Sequence, residues 1–155
     1  MKPSHVQAAI ESCRDHLDVG AFRGTDIEQY LTAHLVVLAC AAFEEEIEQC
    51  VRRRADRAGD AVLAALVTSA IGIVVRSVKT TELAGVLNRF SEAHKTAFQQ
   101  KMAANPQSET SYNSIVAQRH SVVHTARCNL TLDEFVAFFE SGHTVLDDFA
   151  QVANL

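Results

Sequence analysis

A long uninterrupted helix is the feature that most limits what this chain can fold into. Residues 25–58 contain neither proline nor glycine, and they begin with Thr25-Asp-Ile-Glu28. This spacing is typical of a capping box, in which the threonine accepts a bond from a free amide of the first turn and the glutamate reaches back. Glycine commonly ends helices, and Gly59 follows. We therefore predict one helix from Thr25 to about Arg57.

The composition of the remaining chain also favours helices. Of 155 residues, 48% are hydrophobic, whereas only 6 are glycine and 2 are proline. This length suits one domain with a sizeable core, so we assign residues 1–155 to a single domain. The Asn105-Pro106 pair and the polar residues after it predict a break. Further helices are predicted at 4–17, 61–76, 81–102, 113–127 and 131–152. The predicted fold is an all-α, up-and-down bundle of five or six helices.

The most apolar stretch, residues 61–75, has the sequence AVLAALVTSAIGIVV. It is shorter than the roughly 20 residues that a helix needs to cross a bilayer. A helix that is apolar on all sides is buried between neighbours, or completes its burial against a second subunit. We expect one of these two forms of burial and no membrane attachment.

The net charge limits how the protein can bind nucleic acid, and the cysteine content indicates its cellular compartment. A net charge of -5 argues against holding nucleic acid by bulk charge, although a local site is still allowed. The four cysteines form no CxxC pair, and the N-terminal residues lack the pattern of a secretory signal. We expect a cytoplasmic protein whose reduced thiols pack as small hydrophobic residues.

The segment 113–127, NSIVAQRHSVVHTAR, carries four basic or imidazole side chains within nine positions. On a helical wheel of about 100° per residue, Arg119 falls in an apolar stripe. An arginine there needs a carboxylate, a phosphate or a subunit boundary opposite it. A second, polar stripe contains Asn113, His120, His124 and Arg127. We call this predicted helix the motif helix.

The residue types in the motif helix suit phosphate chemistry. Imidazole exchanges protons readily near neutral pH, and guanidinium offers a fork of donors that matches phosphate oxygens. The spacing of His120 and His124 would also suit a zinc ion. However, there is no HExxH motif, and no nearby cysteine or aspartate completes a ligand set. We therefore predict neither a metal nor another cofactor.

The pattern Arg119-x-x-x-x-His124, near the end of a helix in a small all-α chain, resembles the RxxxxH signature of the HEPN superfamily. The resemblance is strongest to the branch associated with RiboL and PSP ribonuclease systems, and it covers roughly residues 25–153. The matched segments are Phe43-Glu44-x-x-Ile47 in a glutamate-bearing helix, the amphipathic segment 81–102, Asn113-x-Ile115 at the start of the motif helix, and Thr131-Leu-x-Glu134 at the start of the closing helix.

The resemblance implies a metal-independent endoribonuclease that leaves 2′,3′-cyclic phosphate and 5′-hydroxyl ends. His124 would act as general base or acid at the ribose 2′-hydroxyl and the leaving oxygen. Arg119 would hold the scissile phosphate, and His120 would support the reaction. Glu44 would orient Arg119 or an imidazole, but Glu45 and Glu46 offer near-equivalent carboxylates.

Family members typically act as symmetric dimers in which both motif helices line one cleft. Arg119 and His124 are about 140° apart on a straight helix, so a second copy would help to complete the site. We expect Arg127 and Asn113 to contact RNA. The arginines of segment 52–57 either add contacts to the RNA backbone or complement the C-terminal end of a helix.

Three functions follow as alternatives. The first is an RNA endonuclease that serves as a toxin or antiviral effector, with an antitoxin or defence-system partner. Some HEPN proteins carry a tyrosine two positions after the motif histidine, linked to nucleotide transfer by an antitoxin. Ala126 occupies that position here, which argues against this form of regulation. The second function is a non-catalytic module for dimerisation or partner binding, and the third is an immunity or antitoxin-like relative that binds RNA without cutting it.

Overall fold

The computed structural model describes residues 3–76, 78–125 and 127–154. These ranges contain eight α-helices and no strand, which confirms the all-α prediction. The helices are α1 (Ser4–Val19), α2 (Asp26–Arg57), α3 (Ala61–Val74), α4 (Thr80–Asn88), α5 (Glu92–Ala104), α6 (Pro106–Thr125), α7 (Leu132–Gly142) and α8 (Thr144–Ala153). Within the described ranges, each helix falls short of the length or the apolar character that crossing a membrane requires.

Two predicted long helices are each divided in the structure, which raises the number of helices above the expected five or six. The predicted segment 81–102 becomes α4 and α5. There the hydroxyl of Ser91 accepts a bond from the backbone N–H of His94 (3.3 Å) and starts a new helix. The predicted segment 131–152 becomes α7 and α8, which meet at His143.

The motif helix is α6, and both of its ends differ from the prediction. It begins at Pro106. Proline suits the first position of a helix, because the N–H that it lacks would have no partner within the helix there. The polar residues after Pro106 therefore continue the helix instead of breaking it. Its last residue is Thr125, so Arg127 lies beyond it. The predicted position of Ala126 lies outside the described residues.

The core is centred on the contact of α2 with α6 and α7. The ring centroid of Phe43 lies 5.1 Å from that of Tyr112 and 5.9 Å from that of Phe139. All three side chains are buried. The Tyr112 hydroxyl donates a hydrogen bond to the carbonyl of Val78 (3.0 Å). The four cysteines are also buried, which confirms their predicted packing role.

A buried carboxylate connects the first turns of α2 and α7. Thr25 caps α2 by accepting a bond from Ile27 N–H (3.3 Å), but Glu28 does not return to Thr25 as the capping box predicted. Instead, its two oxygens accept bonds from the N–H groups of Gly24 (2.6 Å) and Leu132 (3.0 Å). These bonds lower the pKa of the Glu28 carboxyl, which is only 6% exposed. The contact joins segments 104 residues apart in sequence.

Helix α3 lies against α2 with most of its apolar side chains exposed. Ala64 and Ile71 are buried, whereas Val62 is 81%, Leu66 is 65% and Ile73 is 75% exposed. The predicted burial between neighbouring helices of the chain is therefore wrong, because α3 has its main packing partner on one side only. Burial of α3 against a second subunit stays a prediction.

Helix α7 begins and ends at well-defined contacts. The predicted capping box is confirmed: Thr131 Oγ1 accepts a bond from Glu134 N–H (3.2 Å), and Glu134 Oε2 accepts one from Thr131 N–H (2.9 Å). At the other end, a Cβ atom on Gly142 would lie 2.8 Å from the backbone nitrogen of Tyr112. The close approach of α7 to α6 therefore depends on glycine.

We predict that Gly142→Ala lowers the free energy of unfolding by about 1–3 kcal/mol, because the added methyl group would push α6 away from α7. Gly85→Ala is the matched control. A Cβ atom there meets no atom within 4 Å, so this helical substitution should stabilise the fold by about 0.5–1 kcal/mol. Urea unfolding of both variants provides the measurement. Equal effects of the two substitutions would contradict the close-packing argument.

Candidate active site

An open cleft of about 590 Å³ separates the second half of α6 from the start of α4. Its volume falls in the range of clefts that bind small ligands. We call it the α4–α6 cleft. It is lined by Lys79, Thr81, Glu82, Val116, Ala117, Arg119, His120, Val123 and His124. Three of the four predicted catalytic residues, Arg119, His120 and His124, therefore border one space.

The fourth predicted catalytic residue, Glu44, lies on α2 and pairs with Arg119. The distance from Arg119 Nη1 to Glu44 Oε1 is 3.5 Å, and the two side chains are 31% and 21% exposed. A carboxylate was one of the partners predicted for an arginine on the apolar stripe. Because guanidinium has five N–H donors, this single contact leaves donors for a phosphate in the cleft.

The structure distinguishes Glu44 from the two acids that follow it. Glu45 accepts a hydrogen bond from the side chain of Gln49 (3.0 Å). Glu46 Oε1 lies 3.0 Å from Nε2 of the buried His143. Of these three carboxylates, Glu44 is the one in an ion pair with Arg119. The sequence alone did not make this distinction, since it depends on how α2 is oriented against α6.

The two histidines of α6 lie one turn apart on the exposed side of the helix. The ring centroids of His120 and His124 are 4.3 Å apart, with an angle of 52° between the rings. Both residues are exposed, as is Val123 between them. Although Arg119 and His124 are five positions apart, both border the α4–α6 cleft of a single chain.

Asn113 connects α6 to the opposite side of the cleft. Its Oδ1 accepts a bond from Thr80 N–H (3.0 Å), and its Nδ2 donates one to Thr80 Oγ1 (3.0 Å). Thr80 Oγ1 in turn donates to Glu109 (2.7 Å). These bonds fix the first turn of α4 on α6. These bonds favour a structural role for Asn113. Its contact with RNA stays a prediction.

Arg127 is not on the polar stripe that was predicted for it, because α6 ends before it. Its side chain is exposed, and its carbonyl accepts a bond from Ser121 Oγ (3.3 Å). It is not among the residues that line the α4–α6 cleft. Its contact with RNA also stays a prediction.

The arginines at the end of α2 contact the end of α8. Arg54 Nη1 donates to the carbonyl of Ala153 (2.7 Å), and its guanidinium lies over the ring of Phe90, 5.4 Å from the centroid. Arg57 Nη1 donates to Asn154 Oδ1 (2.6 Å). Two roles were left open for this segment: contact with RNA and complementing the C-terminal end of a helix. The structure shows the second role for Arg54, which donates to a carbonyl at the end of α8 and not at the end of α2.

The described residues contain no group of three or more histidine, cysteine, aspartate or glutamate side chains that could hold a metal ion. The cleft does contain residues that sequence reasoning missed. Lys79, Thr81 and Glu82 line the side opposite α6. No local sequence pattern predicts that these residues line the cleft, since their position depends on how residues 78–80 bond to α6.

A family model described as RiboL-PSP-HEPN matches residues 7–154. The chain belongs to the RiboL-PSP-HEPN family. This confirms the resemblance that the RxxxxH pattern indicated, and the RiboL-PSP-HEPN match extends further towards the N-terminus to include most of α1. No curated protein and no solved structure matches the chain. Membership in the RiboL-PSP-HEPN family points to an RNase-type function.

We predict that Asn113→Ala lowers the free energy of unfolding by about 1–2 kcal/mol, because it removes two hydrogen bonds to the largely buried Thr80. The exposed Asn88 supplies the control, and Asn88→Ala should change the unfolding free energy by less than about 0.5 kcal/mol. Chemical denaturation measures both. A wild-type denaturation curve for Asn113→Ala, combined with weakened RNA binding, would instead assign Asn113 to RNA contact.

Proposed function

We propose that this RiboL-PSP-HEPN protein is a metal-independent endoribonuclease that leaves 2′,3′-cyclic phosphate and 5′-hydroxyl ends. One observation carries the proposal: Arg119, paired with Glu44, borders the same cleft as His120 and His124. A cation for the phosphate and imidazoles for proton transfer are the groups that this reaction needs.

Each residue has a distinct role in the proposed reaction. His124 accepts the proton of the ribose 2′-hydroxyl, whose oxygen attacks phosphorus while the 5′-oxygen leaves and takes up a proton. His120, with its ring centroid 4.3 Å away, supports this second proton transfer. Arg119 binds the non-bridging oxygens as their charge develops, and Glu44 holds its guanidinium in place. Proton transfer and the electrostatic contact would each contribute roughly 10²- to 10³-fold in rate.

The proposal includes a homodimer formed through the motif helix. Val123 is 66% exposed between two exposed histidines, and burial of such a side chain favours association. A two-fold axis beside α6 would bring a second His124 towards the first Arg119. The α4–α6 cleft would then be one half of a larger shared site.

The biological role that we propose is that of a toxin or antiviral effector controlled by an antitoxin or defence-system partner. In this role, a slow ribonuclease would arrest growth through limited cleavage of RNA. Family membership is what supports this part of the proposal.

A second candidate function is a non-catalytic module for dimerisation or partner binding. The exposed apolar side chains of α3, including Val62, Leu66 and Ile73, favour it. Exposed apolar surface of this kind often marks a protein interface. A non-catalytic module would not require the ion pair of Arg119 or the two neighbouring imidazoles, so we rank this function second.

We predict that Arg119→Ala and His124→Ala each lower the rate of RNA cleavage at least about 100-fold, because each removes one of the groups proposed to act on the phosphate. The assay incubates single-stranded RNA with the protein and a chelator, followed by analysis of the product ends. Arg89→Ala and His34→Ala change exposed residues outside the cleft and should retain activity.

Absence of cleavage by the wild-type protein, or full activity of both site variants, would reject the nuclease proposal. Cleavage that the chelator abolishes would assign the reaction to a metal site at His120 and His124 instead.

The dimer is tested separately by light scattering at micromolar concentration. We predict a mass of twice the 16.9 kDa of one chain, and a monomer for Val123→Asp, because the substitution would bury a charge in the interface. Leu66→Asp changes α3, the other surface for which burial against a second subunit was left open, and should remain dimeric because the proposed interface lies on the motif helix. A monomeric wild-type protein would remove the shared cleft, and a monomer for Leu66→Asp alone would move the interface to α3.

A further inference from the structure

The side of the α4–α6 cleft opposite the motif helix has no role in the function proposed so far. It consists of Lys79, Thr81 and Glu82, which belong to the segment before α4 and to its first turn. Lys79 is exposed, and its ammonium group is in no ion pair with the described residues. Lys101, in contrast, is paired with Asp148 at 2.8 Å.

The backbone around Lys79 is fixed relative to α6. The carbonyl of Val78 accepts a bond from Tyr112 (3.0 Å), and Thr80 bonds to Asn113 through both its N–H and its hydroxyl. Lys79 lies between these two contacts. Its own N–H donates to Glu82 Oε2 (2.6 Å). The base of the lysine side chain therefore has a defined position across the cleft from Arg119.

The charges of the cleft show why a second cation matters. The charge of Arg119 is offset by Glu44 at 3.5 Å. Lys79 is the remaining permanent cation among the residues that line the cleft. Glu82 contributes a negative charge, but its carboxylate lies at the positive N-terminal end of α4, where the helix dipole offsets part of it. Affinity for RNA comes largely from neutralised phosphates, so one partly compensated arginine would bind a strand weakly.

We propose that Lys79 binds a phosphate next to the scissile one, so that the RNA strand passes between α4 and the motif helix. This inference rests on the proposed ribonuclease function and adds a substrate-binding residue to it. Lys79 is a positioning residue, because it holds the strand and touches no reacting atom. A lysine acts on phosphate as a point charge, so the contact is independent of base identity.

The test measures binding of a mixed-sequence single-stranded RNA that carries 2′-O-methyl groups and therefore resists cleavage. Affinity is determined at several salt concentrations for the wild-type protein, Lys79→Gln, Lys79→Arg and Lys95→Gln. Lys79→Gln should bind more weakly and reduce the slope of log K against log salt by about 0.7, the value for one phosphate contact on a single strand. Lys79→Arg keeps the charge and should keep the slope.

Lys95 lies in α5 outside the cleft and provides the matched control, so Lys95→Gln should also keep the slope. With cleavable RNA, Lys79→Gln should raise KM and leave kcat within a few-fold, whereas Arg119→Ala lowers kcat. The loss of affinity should be equal for RNAs of different base composition. Lys79 is exposed and bonds through its backbone, so circular dichroism should show a folded variant.

If the protein cleaves RNA but Lys79→Gln keeps the wild-type slope and KM, the inference about Lys79 is overturned and the ribonuclease proposal stands. A loss of affinity confined to one base composition would assign Lys79 to base recognition and would also overturn it. A wild-type protein that neither binds nor cleaves RNA would reject the ribonuclease proposal together with this inference.

Discussion

The contact of Tyr112 with its neighbours is the interaction on which the rest of the structure depends. Its ring stacks on Phe43 of α2, its backbone is covered by Gly142 of α7, and its hydroxyl bonds to Val78 ahead of α4. Three separate parts of the chain are thus positioned by one residue of α6. The next residue, Asn113, adds two bonds to Thr80. Together they determine where the α4–α6 cleft opens.

Along helix α6, the buried side chains are confined to the part before Arg119. Its buried side chains are Ser108, Ser111, Tyr112, Ile115 and Val116, all of which precede Arg119. The later residues that carry the proposed chemistry are partly or fully exposed. The first half anchors the helix in the core, and the second half presents functional groups at the surface. At the start of the second half, the ion pair with Glu44 holds the guanidinium of Arg119 in place, as a preorganised site requires.

Local patterns in the sequence predicted much of this molecule, and tertiary packing decided the rest. The RxxxxH spacing pointed to Arg119 and His124, which border one cleft, and the cap at Thr131 predicted the start of α7. Both patterns lie within a few residues of sequence. The sequence left two forms of burial open for α3, since hydrophobicity shows that a helix needs cover but not whether this chain supplies it. Lys79 was missed for a similar reason, because side chains from different helices meet only after folding.

Because of the buried carboxylate of Glu28, the stability of the fold depends on pH. Its folded-state pKa is lowered, so its stabilising contribution is complete above the unfolded-state pKa and is lost as the pH falls towards the folded value. Protonation weakens the acceptor for Gly24 N–H and Leu132 N–H together. Leu132 begins the helix that follows α6. Acid therefore weakens the connection between the first turns of α2 and α7.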